Sequence, residues 1–189
     1  MNYTTEPVRD MKKIKEIFAY LKGKNLRDYM IAKTQFNTAL RISDILKLKV
    51  SDFLNPDFTS KEYLTLTEKK TDKEKMIAVN QPLKTSIEEY VKKKELTYSS
   101  YLFQSRKSQN KPISTTQAHR IFQDVGKALG IEKFNTHSLR KSWGYFAYKE
   151  TKNIALIMDA YNHTSEKDTL RYIGINQDQK NLLYLKIKF

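Results

Sequence analysis

Apolar side chains recur at helical spacing along most of the chain. Met11, Ile14, Phe18 and Leu21 fall on one face of a first predicted helix, and Ala32, Phe36, Ala39 and Leu40 on one face of a second. Ser43 is placed to cap a short helix running through Leu48. The period then changes. Tyr63 to Thr67 and Lys75 to Val79 alternate and are rich in β-formers, which predicts a hairpin with Lys70 to Lys73 near its tip. Helical spacing returns at Leu83, Ile87, Tyr90 and Val91, in a helix that Pro82 can start at its first turn. Ala118, Ile121, Phe122, Val125 and Leu129 predict another helix, closed by Gly130. Two more stripes follow, Leu139, Trp143 and Phe146, then Ile154, Ile157, Met158 and Tyr161. The expected fold is α+β and mainly helical, with a small antiparallel β-sheet beside a helical bundle. Leu182, Leu183, Leu185, Ile187 and Phe189 give the chain an apolar tail that a small core has little room to absorb.

The length of 189 residues fits one domain, and 39% hydrophobic residues can supply its core. No apolar run approaches the roughly 18 residues a membrane span needs. The first residues, Met1 to Glu6, lack a signal-peptide core. Cysteine is absent, which excludes disulfides and thiolate metal sites and suits a reducing cytosol. No repeat, low-complexity segment or Gly/Ser linker divides the chain. Its formal net charge of +14 changes the picture most. Such a balance invites a polyanionic partner, because basic groups displace counterions from nucleic-acid phosphates. A generally lysine-rich surface is the competing explanation.

Several side chains suit phosphate chemistry. Arg41 lies in Leu40-Arg41-Ile42-Ser43-Asp44, and Lys70 in the turn Lys70-Thr71-Asp72-Lys73. His137 and Arg140, in His137-Ser138-Leu139-Arg140, project from one patch at a helix start. His163 and Tyr172 follow. Arginine stays protonated, and its planar fork holds two phosphate oxygens at once. A tyrosine phenol can form a covalent phosphoester and later leave. Taken singly, each residue has an ordinary reading. Arg41 reads as a surface ion pair, Lys70 as solvated charge with Lys69, Lys73 and Lys75 as equals, Tyr172 as packing, and Asp44 as a helix N-terminal charge. His119 and Arg120 read as solvent-facing.

Taken together, the order and spacing of these residues resemble the catalytic domain of the tyrosine recombinases, the phage-integrase family, over roughly Pro7 to Ile175. The resemblance implies a DNA strand-breaking and rejoining enzyme. Arg41 and Arg140 would clamp the scissile phosphate, His163 would donate a third hydrogen bond, and Tyr172 would be the nucleophile. His137 would receive the phenolic proton and Lys70 would protonate the departing 5′ oxygen. Asp44 matches the carboxylate that buttresses the site in the family. Neither metal nor other cofactor is expected. The implied partners are double-stranded DNA and further copies of the chain, as a monomer when free and a tetramer on DNA, in the cytoplasm and on the nucleoid.

Two departures stand out. The chain begins almost at the catalytic domain, so residues 1–189 are expected to form that domain without the N-terminal core-binding domain, either as an excised piece or as a short integrase. Before His163 the family usually has Leu-Gly, and here stand Tyr161 and Asn162. The tail, residues 176–189, is expected to dock on a neighbouring protomer. Two other functions fit the same fold: a non-catalytic DNA-binding accessory or regulatory protein, and type IB topoisomerase-like DNA relaxation.

Overall fold

The computed structural model describes residues 5–68, 74–106, 108 and 110–187, with main chain alone at 177–180 and 183. Two helices open the chain, α1 (Met11–Lys24) and α2 (Leu26–Thr38). Asn25 separates them in an extended conformation and caps α2 by accepting from the Arg27 amide. Ile14, Ile17 and Leu21 of α1 are buried. Each such side chain contributes about 1.5–3 kcal/mol by leaving water. Met11, expected on that face, is 41% exposed at the helix start.

α2 ends at Thr38 because Ala39 turns into the left-handed region, at φ 56°. The predicted cap at Ser43 is not found. Arg41 is extended and takes the N-cap position, so Ser43 lies inside the short α3 (Ile42–Ile45), which stops before Leu48. A second short helix, α4 (Val50–Phe53), leads to the hairpin of β1 (Tyr63–Thr67) and β2 (Glu74–Ala78). The strands pair antiparallel, with Leu64 opposite Ile77 and Leu66 opposite Lys75. Their outer face, including Tyr63 and Met76, is exposed. Inward lie Leu64 and, in the same alternation, Glu68 just past the strand end.

α5 (Gln81–Lys93) carries Pro82 in its first turn, and Asn80 caps it by accepting from the Leu83 amide. α6 (Thr115–Ala128) is capped by Ser114 and followed by Gly130 at φ 61°. α7 (Ser138–Thr151), α8 (Ile154–Tyr161), α9 (Glu166–Tyr172) and α10 (Ile175–Lys186) complete the chain. The fold is therefore mainly helical with a two-stranded antiparallel sheet. α2 lies at its centre, against α1, α5 and α7. A large apolar cluster spans α1 to α7. A smaller one, built from Ala39, Tyr145, Ile157, Tyr161, Ile173 and Ile175, holds α7, α8 and α9 together. Gly144 makes this possible. A Cβ there would meet Ile173 Cγ2 at 2.7 Å and Tyr161 Cε2 at 2.8 Å. Among the described residues no helix is long and apolar enough to cross a membrane.

Candidate active site

Arg41 and Arg140 stand almost a hundred residues apart in sequence, yet the fold brings them together. Each donates an Nη2 hydrogen bond at 3.5 Å to the carbonyl oxygen of Tyr161, the last residue of α8. Two guanidinium groups at one oxygen define a strongly cationic point. Arg140 sits in the first turn of α7 and is only 1% exposed. Its Nη1 bonds the carbonyl of Ala39, which the left-handed turn after α2 presents to it. The Tyr161 ring lies 4.4 Å from its charge centre, and the Tyr161 hydroxyl returns a 2.5 Å bond to the Arg140 carbonyl. Among the described residues, no carboxylate lies within ion-pair distance of Arg140. A buried cation whose described partners are carbonyl dipoles, an aromatic ring and the Tyr172 phenol is short of counter-charge.

Asn162 follows at φ 54° and ψ 46°, the left-handed conformation that glycine adopts freely and asparagine tolerates. That explains how Asn162 replaces the glycine of the resembling family. The turn carries the chain into His163, whose Nδ1 lies 3.1 Å from Thr169 Oγ1 on α9. Tyr172, at the end of α9, meets His163 edge-on at 5.2 Å and Tyr161 at 5.4 Å between ring centroids. Burial pushes the Tyr172 phenol above its ordinary pKa, while the charge of Arg140 and a hydrogen bond to it pull the other way. Lys141 Nζ lies 4.8 Å from the Tyr172 ring centre and bonds the Thr5 carbonyl at 2.6 Å. A cleft of about 840 Å³ opens beside Tyr172, lined among others by Lys141, His163, Lys167 and Arg171.

His137 stands immediately before α7, on the solvent side of the arginines. Burial of part of its ring, followed by the charges of Arg140, Lys141, Arg41 and His119, lowers its pKa below 6.5. The shift favours the uncharged imidazole. Asp44 is buried in the single turn of α3, its amide bonded to the Arg41 carbonyl at 3.0 Å. Lys70 lies outside the described residues, so its expected place at the hairpin tip is not located here. His119 and Arg120 are exposed, as expected.

Two further residues belong to the site: Glu68, not singled out from sequence, and Lys75, named there only as an equal of Lys70. Glu68, 0% exposed, accepts from Arg41 Nη1 at 2.7 Å and from Asn162 Nδ2 at 2.7 Å. Lys75, on the inward face of β2, lies 3.6 Å from the same carboxylate and bonds the Ala160 carbonyl. Burial would raise the Glu68 pKa, but Arg41, Asn162 and Lys75 outweigh it and hold the group at about 2. Lys75 is pushed below its ordinary value by burial, with Glu68 opposing. The signal was present in the alternation. Glu68 is in phase with Leu64 and Leu66, and Lys75 with Ile77 and Val79, so both point to the buried face. Among the described residues, no cluster of three or more histidines or carboxylates is arranged to hold a metal ion.

Comparison with known proteins decides the family. A sequence profile for the phage integrase family matches residues 8–179. The chain belongs to that family. It is 42% identical over 182 residues to the probable integrase/recombinase YoeC of Bacillus subtilis, covering 96% of both chains. It is 29% identical over 165 residues to the tyrosine recombinase XerA of Pyrococcus furiosus, covering 87% of this chain and 56% of that one. The crystal structure of the XerH site-specific recombinase bound to a palindromic difH substrate superposes with a TM-score of 0.73. At 16% identity it covers 97% of this chain and 53% of XerH, and it shows the shared fold. The family and fold are thus those of the tyrosine recombinases, while the chain spans about half the length of XerA and XerH. Within the integrase family pattern, Arg41, Arg140, His163 and Tyr172 are the residues the fold gathers into one site, with His137 at its rim.

Proposed function

We propose that this protein is a site-specific DNA recombinase that cleaves and rejoins strands through a 3′-phosphotyrosine on Tyr172. The convergence of Arg41 and Arg140 on the Tyr161 carbonyl, beside the edge-on pair of His163 and Tyr172, carries this reading. A buried Arg140 with no carboxylate paired to it among the described residues calls for an anion, and a scissile phosphodiester would supply it. Phosphoryl transfer needs mainly positioning and charge stabilisation, which two guanidinium forks and an imidazole provide.

In the forward step the Tyr172 oxygen attacks phosphorus and the bond to the 5′ oxygen breaks. The phenolic proton passes to neutral His137, and Lys70 gives a proton to the leaving 5′ oxygen. Arg41, Arg140 and His163 hold the non-bridging oxygens, and Asp44 supports the Arg41 turn. A 5′ hydroxyl from a second duplex then attacks phosphorus, and Tyr172 leaves. The phosphoester keeps the bond energy, so no nucleotide triphosphate is consumed. The net charge of +14 suits the duplex partner. On this reading the protein acts at the nucleoid, as the catalytic domain of such an enzyme. It assembles as a tetramer through α10 and the residue after it, where Leu182, Tyr184, Leu185 and Ile187 are 55–77% exposed.

The test is incubation with a nicked duplex that traps the covalent intermediate. Wild type should yield a protease-sensitive DNA adduct, and Tyr172→Phe none, with folding and DNA binding nearly intact. An adduct on the phenylalanine variant would overturn the assignment of the nucleophile. Absence of any adduct on wild type would favour an accessory DNA-binding role.

A further inference from the structure

We propose that Glu68 is a positioning residue of the strand-cleavage reaction, fixing Arg41 and the Asn162–His163 turn in one orientation relative to each other; the inference rests on the recombinase reading above. One carboxylate joins three separate parts of the site. Its Oε2 takes Arg41 Nη1 from the α2–α3 turn and Asn162 Nδ2 from the α8–α9 turn, both at 2.7 Å. Its Oε1 lies 3.6 Å from Lys75 Nζ on β2. Lys75 in turn bonds the Ala160 carbonyl, one residue before the oxygen both arginines share.

A carboxylate beside a phosphate site is on its face unfavourable, since it repels the substrate and neutralises a clamp charge. The geometry removes the first objection. Glu68 is 0% exposed, whereas Arg41 is 17% exposed, so the carboxylate lies behind the guanidinium rather than in the phosphate's path. Glu68 holds one Arg41 nitrogen, and the guanidinium has five N–H donors, which leaves others to meet the phosphate. The long arginine chain is entropically costly to order at the moment of reaction. An ion pair formed beforehand fixes it before substrate arrives, which is the preorganisation that electrostatic catalysis requires.

Asn162 explains the other arm. Its left-handed backbone suits glycine, yet a glycine there has no amide to offer. With asparagine the same residue both makes the turn into His163 and ties that turn to Glu68. Glu68 thus acts through Arg41 and His163 and touches no reacting atom.

Single-turnover adduct formation on the trapping duplex, measured beside DNA affinity, tests this. Glu68→Gln should slow adduct formation by about tenfold or more, with affinity changed less than about threefold, since an oriented charge is lost and not a DNA contact. In an Arg41→Ala background, Glu68→Gln should slow it by no more than about twofold further, because coupled residues are non-additive. Asn162→Gly keeps the turn and loses only the amide, and should slow adduct formation about threefold or more at unchanged melting temperature. A wild-type rate for Glu68→Gln, or losses that multiply fully in the Arg41→Ala background, would overturn the proposal. Should Glu68→Gln not fold, Asn162→Gly decides, and a wild-type rate there overturns it. Failure of wild type itself to form an adduct would instead strike the recombinase reading.

Discussion

Arg140 and Arg41 meet at the Tyr161 carbonyl, but the regions that deliver them differ in construction. Arg140 comes from the start of a fourteen-residue helix, is 1% exposed, and is held by two carbonyls and an aromatic ring. Arg41 comes from an extended residue before a four-residue helix, keeps 17% of its side chain exposed, and is held by a buried carboxylate. On the α7 side no described carboxylate pairs with the cation. On the hairpin side the anion is already built in. On the proposed reading one region is a socket for phosphate and the other an arm braced in advance, so they should fail differently.

The largest expected effect is catalytic and comes from the α7 side. Arg140→Ala should lower adduct formation by about 100-fold or more, as removal of a charged donor to a developing anion does. Arg140→Lys should recover little of it, since a point charge cannot replace the planar fork. If lysine restores most of the rate, the socket description is wrong. Arg41→Ala should also cost about 100-fold, with non-specific DNA affinity falling far less in both cases.

Stability should rank the two sides the other way. Arg41→Met strips a paired cation from a fully buried carboxylate and should cost about 3 kcal/mol in denaturant unfolding. Arg140→Met removes an under-compensated buried charge along with two carbonyl bonds, gains and losses that largely offset, for a net cost under about 1.5 kcal/mol. Equal losses would erase the contrast.

The acid limb sharpens it further. The Glu68 pKa is held near 2, below the ordinary 4.5, so the folded state binds that proton less readily than the unfolded chain. Its stabilisation is complete above the unfolded value and is lost as pH falls from about 5 toward 2, at most about 3 kcal/mol for that shift. Urea unfolding near pH 6 and pH 3 should show this loss in wild type and not in Glu68→Gln. A slope that survives in the variant belongs to other carboxylates.

Leaving-group chemistry separates Lys70 from Lys75. A 5′-bridging phosphorothiolate needs no proton on departure, so it should rescue Lys70→Ala and not Arg140→Ala. Rescue of Lys75→Ala instead would move the acid to the residue the structure places beside Glu68. The smallest effect belongs to α10. Leu185→Ser should shift the free protein's stability by less than about 0.5 kcal/mol, as exposed positions do, while weakening higher-order complexes on DNA. A large loss of stability would mean that α10 serves its own domain.

Much of this was legible in the chain. Helical stripes placed nearly every long helix, and Pro82 and Gly130 lie at the expected ends of α5 and α6. Arg140, His163 and Tyr172 stood out because their spacing, set by α7, α8, α9 and the turns between them, resembles the tyrosine-recombinase pattern. The α3 start was misplaced because the serine rule assumes a side-chain cap, and here the extended Arg41 backbone takes that position without one. Glu68 escaped notice, and Lys75 was read only as an equal of Lys70, because charges beside a lysine-rich turn read as solvated, although their phase with Leu64 and Ile77 put them inside. Asn162 read as a departure from pattern, since a sequence does not display the φ of 54° that makes asparagine an acceptable substitute.

The closeness of α7 to Tyr161 has one more consequence. Gly144 contributes no functional group, yet the room it leaves is where the Tyr161 ring lies, its hydroxyl on the Arg140 carbonyl. The place of the Tyr161 ring beside α7 therefore depends on a residue with no Cβ. An added methyl would touch no phosphate and no DNA, but it would lever the ring outward and carry with it the oxygen on which both arginines converge. In this protein an unfilled volume the size of one carbon is as much a working part as any charged side chain.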